Sequence, residues 1–289
     1  MILPRLFLLV ALCCASAAQA GDGRGGGRLL LTDGVTAIEG SAGGGIASWA
    51  TIAGAETRNG IGGTVHGTAI LMPDFTLRSY GAAAGLFDRV ELSYARQDLD
   101  TGTAGAALGL GRDYRISQDV FGAKLRLFGN LVYDQDTPLP QLAIGVQRKR
   151  ATRTALVKAL GARSDRGTDY YVAATKLVLD RGVLLNATLR MTRANQGGLL
   201  GFGGDRRSEY RAQFEGSAGV LLSPRLVVGA EYRTKPDNLG FAKERDWADL
   251  FAALSVSRTL TATVAYADLG PIATFENQRS LFVSLRGRF

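Results

Sequence analysis

The sequence predicts an all-β fold, a transmembrane antiparallel up-and-down β-barrel of about 12 strands with 14 possible, and three observations predict it. Apolar and polar residues alternate over long runs, tight and long connections take turns along the chain, and tyrosines collect at one end of the strands. The alternation is clearest in "SEYRAQFEGSAGVLL". Tyr210, Ala212, Phe214, Gly216, Ala218, Val220 and Leu222 share one face, and Glu209, Arg211, Gln213, Glu215, Ser217 and Gly219 share the other. A period of two belongs to a strand with one apolar and one polar side. "VLLNATLRMT", "RLVVGAEYRT" and "TLTATVAYAD" repeat it. Such runs exceed the five or six residues of an ordinary strand and match the roughly 9 to 11 tilted residues that cross a bilayer.

Taken in order, the first element is an export signal over residues 1–20. Arg5 precedes an apolar stretch from Leu6 to Leu12, and Ala18-Gln19-Ala20 forms a small-residue cleavage site before Gly21. Both cysteines, Cys13 and Cys14, lie inside it, so no disulfide or cysteine metal site is expected afterwards. His66 is the single histidine, which leaves no multi-histidine zinc motif, and no cofactor is expected.

Residues 21–56 form a Gly-rich segment. Its literal G-x-G-x-x-G at Gly21, Gly23 and Gly26 follows no strand and carries no dinucleotide site. "VTAIEGSAGGGIASWATIAG" admits three readings: a periplasmic segment, one more hairpin, or a plug inside the barrel.

Residues 57–289 are the barrel. Strands are predicted near 61–71, 75–85, 89–97, 117–128, 139–149, 168–179, 182–194, 208–222, 225–234, 246–256, 259–268 and 278–289. An even number brings both ends to one side. Tight turns at 86–89, 179–182, 223–225 and 257–258 fall on that side, and longer loops at 98–116, 150–167, 195–207, 235–245 and 269–277 on the other. Outward-facing Tyr94, Tyr171, Tyr210, Tyr232 and Tyr266 would form an interfacial girdle at the loop ends.

Two stretches, "LLLTDGVTAIEGSAGGGIASWATIAG" and "YGAAAGLFDRVELSYARQDLD", together with Phe289, resemble a proteobacterial outer-membrane β-barrel family classed as a domain of unknown function. The resemblance implies a Gram-negative outer-membrane location and hands over no catalytic or binding residue. The last strand also resembles the C-terminal signal read by the barrel-assembly machinery, through Phe289, Leu285, Val283 and Leu281. Gly287 and Phe282 depart from that pattern.

With apolar residues facing lipid, the lumen is expected to carry Lys124, Arg126, Lys149, Lys176, Arg190, Arg211, Arg233, Arg286 and Arg288 against Glu91, Glu209, Glu215, Glu231 and Asp249. Arg211 with Glu231, and Glu209 with Arg233, are the expected cross-strand pairs. A net positive interior points to a small passive, porin-like channel with a mild preference for anionic solutes. The alternative is a non-conducting structural or adhesive barrel that contacts lipopolysaccharide. The loop "RKRATRTALVKALGARSDR" would serve that contact through Arg150, Arg153, Lys158, Arg163 and Arg166, around a short helix. Outer-membrane lipid is a partner on either reading, and nucleic acid is not. A remote alternative is lipid hydrolysis. Its nearest residues are His66 and Thr68, with Thr where a Ser nucleophile is needed and with His66 turned inward, so no catalytic residue is assigned and no enzyme is expected.

Overall fold

The computed structural model describes residues 28–289, so the expected export signal at 1–20 and residues 21–27 lie outside the described residues. Two two-residue strands, β1 (Val35–Thr36) and β2 (Ala42–Gly43), pair with each other as a small hairpin. Twelve longer strands follow: β3 (Ile61–Leu71), β4 (Thr76–Leu86), β5 (Val90–Asp100), β6 (Arg115–Phe128), β7 (Gln141–Ala151), β8 (Arg166–Val178), β9 (Val183–Thr192), β10 (Arg211–Ser223), β11 (Leu226–Arg233), β12 (Trp247–Ser255), β13 (Leu260–Asp268) and β14 (Arg279–Arg288). Each pairs antiparallel with its neighbour, and β14 returns to β3, so the sheet closes without an edge. The β1–β2 hairpin does not join this sheet, and the barrel has twelve strands rather than fourteen.

Lipid can satisfy no backbone polar group, and a closed ladder leaves none to satisfy. The outer surface agrees with that requirement. Leu92, Phe121, Leu189, Phe214, Leu250 and Val264 all point outward and are exposed. Tyr94, Tyr210, Tyr232 and Tyr266 are exposed as well, joined by Tyr80 and Tyr170. Around β4–β6 the wall turns charged just beyond this level. Arg96 lies 2.9 Å from Asp119, Arg78 lies 3.6 Å from Asp100, and the Tyr94 hydroxyl donates to Asp119 at 3.0 Å. Tyr80 and Tyr94 lie directly beside these charges.

The alternation of connections has two exceptions. Residues 72–75 make a tight turn on the loop side, and residues 129–140 make a long connection on the turn side. One strand also has its faces exchanged. On β8, Tyr170 and Val172 face out, so Tyr171 faces the lumen and does not belong to the girdle. Lys176 correspondingly leaves the lumen. Its ammonium donates to the carbonyls of Asp134 and Thr137, at 2.7 Å each, in the 129–140 connection. Glu209 and Arg211 are not luminal either. β10 begins only at Arg211, and both side chains are exposed at the rim. The pairs expected from them do not form: in register Glu215 faces Arg233, and Glu231 faces Asp249.

The interior is filled by the chain itself. Every residue from Leu31 to Glu56 is buried. Leu31, Val35, Ile38 and Ile46 pack with wall residues such as Ile70, Trp247 and Phe282 into the main apolar cluster.

Candidate functional site

The luminal segment 31–56 has almost no sheet partners, so its backbone must find others. Side chains of the wall supply them. The amides of Ala42 and Ala53 donate to Glu91 at 3.2 and 2.9 Å, that of Ile46 to Glu231 at 2.9 Å, and that of Ser48 to Glu215 at 2.8 Å. Lys124 donates to the carbonyls of Ala42 and Thr51, both at 2.8 Å, and lies 3.2 Å from Glu91. Gly44 permits this close approach, because a Cβ there would stand 1.7 Å from the Glu231 carboxyl.

Two carboxylates of the segment reach wall cations directly. Asp33 lies 3.0 Å from Arg286 and 3.0 Å from Arg288. It is fixed next to Gly34, whose positive φ of 77° and close contact with the Gly43 carbonyl exclude a side chain. Glu39 sits in a cage of three cations, 2.5 Å from Lys149, 2.9 Å from Arg233 and 3.5 Å from Arg190. Burial alone would raise both carboxyls, but the neighbouring cations outweigh it. Asp33 is held below, and Glu39 well below, the usual carboxylate range.

Arg190 organises the wall around this cage. Its guanidinium lies 2.5 Å from Glu215, donates to Gln147 at 2.7 Å and to Ser48 at 2.9 Å, and stacks over the inward Tyr171 ring. Asp169 completes the set, 2.8 Å from Lys149.

The loop end is closed by a second insertion. Residues 194–204 dip into the barrel on a run of left-handed residues that includes Gln196, Gly197 and Gly198. The Gly197 carbonyl accepts from Lys149 at 3.1 Å, so Lys149 touches both the luminal segment and the inserted loop. Beside this contact a small recess opens, lined by Arg190, Thr192, Gly197, Arg233, Lys235 and Trp247.

Among the described residues, the buried wall charges facing inward are seven cations (Lys124, Arg126, Lys149, Arg190, Arg233, Arg286, Arg288) and five carboxylates (Glu91, Asp169, Glu215, Glu231, Asp249). Asp33 and Glu39 of the luminal segment make up the difference. Arg126 stands near the turn end, 2.8 Å from Asp88. Sequence reasoning missed Asp33, Glu39, Asp169, Tyr171 and Trp247. A signal for the first two was present, since with Glu56 they are the acids of an otherwise small and apolar stretch.

In the basic loop, Arg148, Lys149 and Arg150 are strand residues of β7, and a helix, α1 (Thr154–Ala159), follows. Arg150, Arg153, Lys158, Arg163 and Arg166 are exposed. His66 is luminal, with Nε2 3.4 Å from Ser79, whose hydroxyl donates to the Ile38 carbonyl. Thr68 bonds Ser284 at 2.7 Å. Neither reaches the lipid face. Among the described residues no group of three or more His, Cys, Asp or Glu converges as a metal site.

Glu56 closes the segment at the turn end, with both carboxyl oxygens buried and without a hydrogen-bond partner. Burial pushes it up to about 7, against the pull of Arg28 and with the help of Asp33 and Asp88. A raised carboxyl favours the seated segment while protonated. That contribution is whole below the ordinary value of 4.5 and is lost as pH rises through about 7. Asp33 and Glu39 act oppositely, contributing above their ordinary values and failing only in stronger acid. Trp49, buried in the segment and bonded to Ser217 at 2.8 Å, reports the outcome. In a Trp247→Phe background, acrylamide quenching of Trp49 is expected to rise between pH 5 and 8, the span that brackets this titration. Glu56→Gln should flatten the rise, and an unchanged rise would assign it to another group.

A family model described as "Protein of unknown function (DUF3034)" matches residues 32–286. Among curated proteins none matches. Of solved structures, the KdgM porin in complex with disordered oligogalacturonate is 10% identical, over 78% of this chain and 99% of that one, with a TM-score of 0.50. The COG4313 outer membrane channel from Pseudomonas putida F1 is 12% identical, over 81% and 96% of the two chains, with a TM-score of 0.48. Outer membrane phospholipase A from Escherichia coli is 9% identical, over 79% and 92%, with a TM-score of 0.43. At such identities the likeness is one of fold. A closed twelve-stranded barrel with an apolar exterior is that of a bacterial outer-membrane protein.

Proposed function

We propose that this chain, which belongs to the DUF3034 family, is an outer-membrane conduit for small anionic solutes that its own residues 31–56 hold shut. One observation carries the reading. The luminal segment is seated through Asp33 and Glu39 on five cations of the wall, Arg286, Arg288, Lys149, Arg190 and Arg233. A segment meant only to fill the barrel would be apolar, because buried ion pairs stabilise little over well-packed hydrophobic residues. Charge contacts can instead be exchanged for water, or for another anion.

With the segment seated, Asp33 and Glu39 answer the wall's excess of two cations, and Glu56 adds a third buried carboxyl at the turn end. With it withdrawn, the wall keeps two more cations than carboxylates, and a narrow low-dielectric passage amplifies such an excess into anion preference. Purified full-length protein in planar bilayers is expected to be closed most of the time. Its brief openings should reverse, under a potassium chloride gradient, at a potential that favours chloride. A reversal favouring potassium refutes the anion preference.

A second reading, a non-conducting barrel that binds lipopolysaccharide, is favoured by one feature of the outer wall. Arg148, Arg150 and Arg166 are exposed side by side on β7 and β8, next to Arg153 and Lys158, beyond the level of the tyrosines. Such a row suits anionic headgroup phosphates. The bilayer records decide between the two, since silence in every variant leaves only the second.

A further inference from the structure

The recess at the loop end is chemically unlike the rest of the lumen. Arg190 and Arg233 line it, and these two also hold Glu39. Lys235 and Trp247 line it as well, with the Lys235 ammonium 4.9 Å from the indole ring centre and the Arg233 guanidinium 5.5 Å from it. Trp247 is buried, and its Nε1–H has no hydrogen-bond partner. An indole N–H is a donor only, so leaving it unmatched in the interior costs free energy unless something accepts from it.

We infer that this recess, enlarged by the space Glu39 vacates, binds a small organic carboxylate that takes the place of Glu39 on Arg190 and Arg233 and lays its body against Trp247. The inference rests on the reading of residues 31–56 as a displaceable plug. Glu39 is then a tethered stand-in for the solute, offering the same functional group to the same cations. The exchange conserves charge: one carboxylate leaves the cage and another takes its place, so no buried cation is stranded. A tethered competitor acts at an effective concentration on the order of millimolar or above. A bare carboxylate therefore competes poorly, and a flat or ring-bearing one gains from contact with the indole ring. Binding from the loop side would loosen the plug from the place where solute arrives.

The two tryptophans of the chain are Trp49 and Trp247, so Trp49→Phe leaves Trp247 as sole reporter in otherwise full-length protein. Titration with benzoate is expected to change Trp247 emission saturably, acetate to do so more weakly, and neutral benzamide not at all. Glu39→Gln removes the internal competitor and should tighten benzoate by roughly tenfold or more, the scale of one contact to a charged group. Lys235→Gln, outside the barrel strands but paired with Glu244 at 2.7 Å, should weaken benzoate and gives a second test beside the Glu39 variant. No saturable change, an equal response to benzamide, or weaker binding by folded Glu39→Gln protein would overturn the site. Binding is read without voltage. Saturable binding with silent bilayers removes the conduit and keeps the site, whereas current without binding removes the site alone.

Discussion

Exchanging Asp33 for Asn and Glu39 for Gln together is expected to turn a mostly closed barrel into one that conducts steadily. The two carboxylates answer five buried cations, and removing one partner of a buried pair costs roughly 3–5 kcal/mol because the other charge stays unsolvated. The wall cannot relieve this by moving, since the barrel ladders fix its strands. The luminal segment can. Its withdrawal lets water reach Arg286, Arg288, Lys149 and Arg233, and the substitutions thus favour the open state directly. The remaining anchors are the amides on Glu91, Glu215 and Glu231, each worth about 1.5–3 kcal/mol as bonds to charged groups. They are enough to keep either single variant largely closed. Open probability in planar bilayers should rise at least about tenfold in the double variant, the effect of a shift of 1.4 kcal/mol. The barrel itself should remain folded by its heat-dependent mobility on gels. A folded but silent double variant would end the plug reading.

Arg190→Glu should have the second largest effect, and Arg211→Glu almost none. Arg190 is buried among Glu215, Asp169 and Glu39. A carboxylate placed there joins three others in a low-dielectric space, where like charges repel by several kcal/mol. The plug is then expelled, and the reversal potential of the open barrel moves toward potassium. Arg211 occupies the same face of the sheet by period but stands exposed at the rim, where water and salt screen it. If Arg211→Glu shifts selectivity as far as Arg190→Glu, the constriction lies at the rim and not at the cage.

The twelve strands were legible because membrane and lumen impose opposite chemistry on alternate residues, and the contrast survives in runs such as Val183–Thr192. β8 misled for a local reason. Tyr170 and Tyr171 stand side by side, and Val172, Ala173 and Ala174 after them offer no polar partner to set the phase. What turns Tyr171 inward is Arg190 on the next strand and Ala50 of the luminal segment, neither visible from β8 itself. The same holds for the plug. Its residues are small, and the contacts that seat it join positions as far apart as Ile46 and Glu231 or Asp33 and Arg288. Glu209 and Arg211 obeyed the alternation but not the geometry, because period assigns a face and says nothing about where the lumen stops.

Lys149 makes the two closures of this barrel one machine. Its ammonium holds Glu39 from one side and the Gly197 carbonyl from the other, so neither segment moves without changing what the other has lost. Linkage of that kind is reciprocal. Whatever lifts the loop from outside lowers the work of withdrawing the plug, and a plug loosened from the periplasmic side lowers the work of lifting the loop by the same factor. On the conduit proposal, a signal at either face of the membrane acts on this one contact.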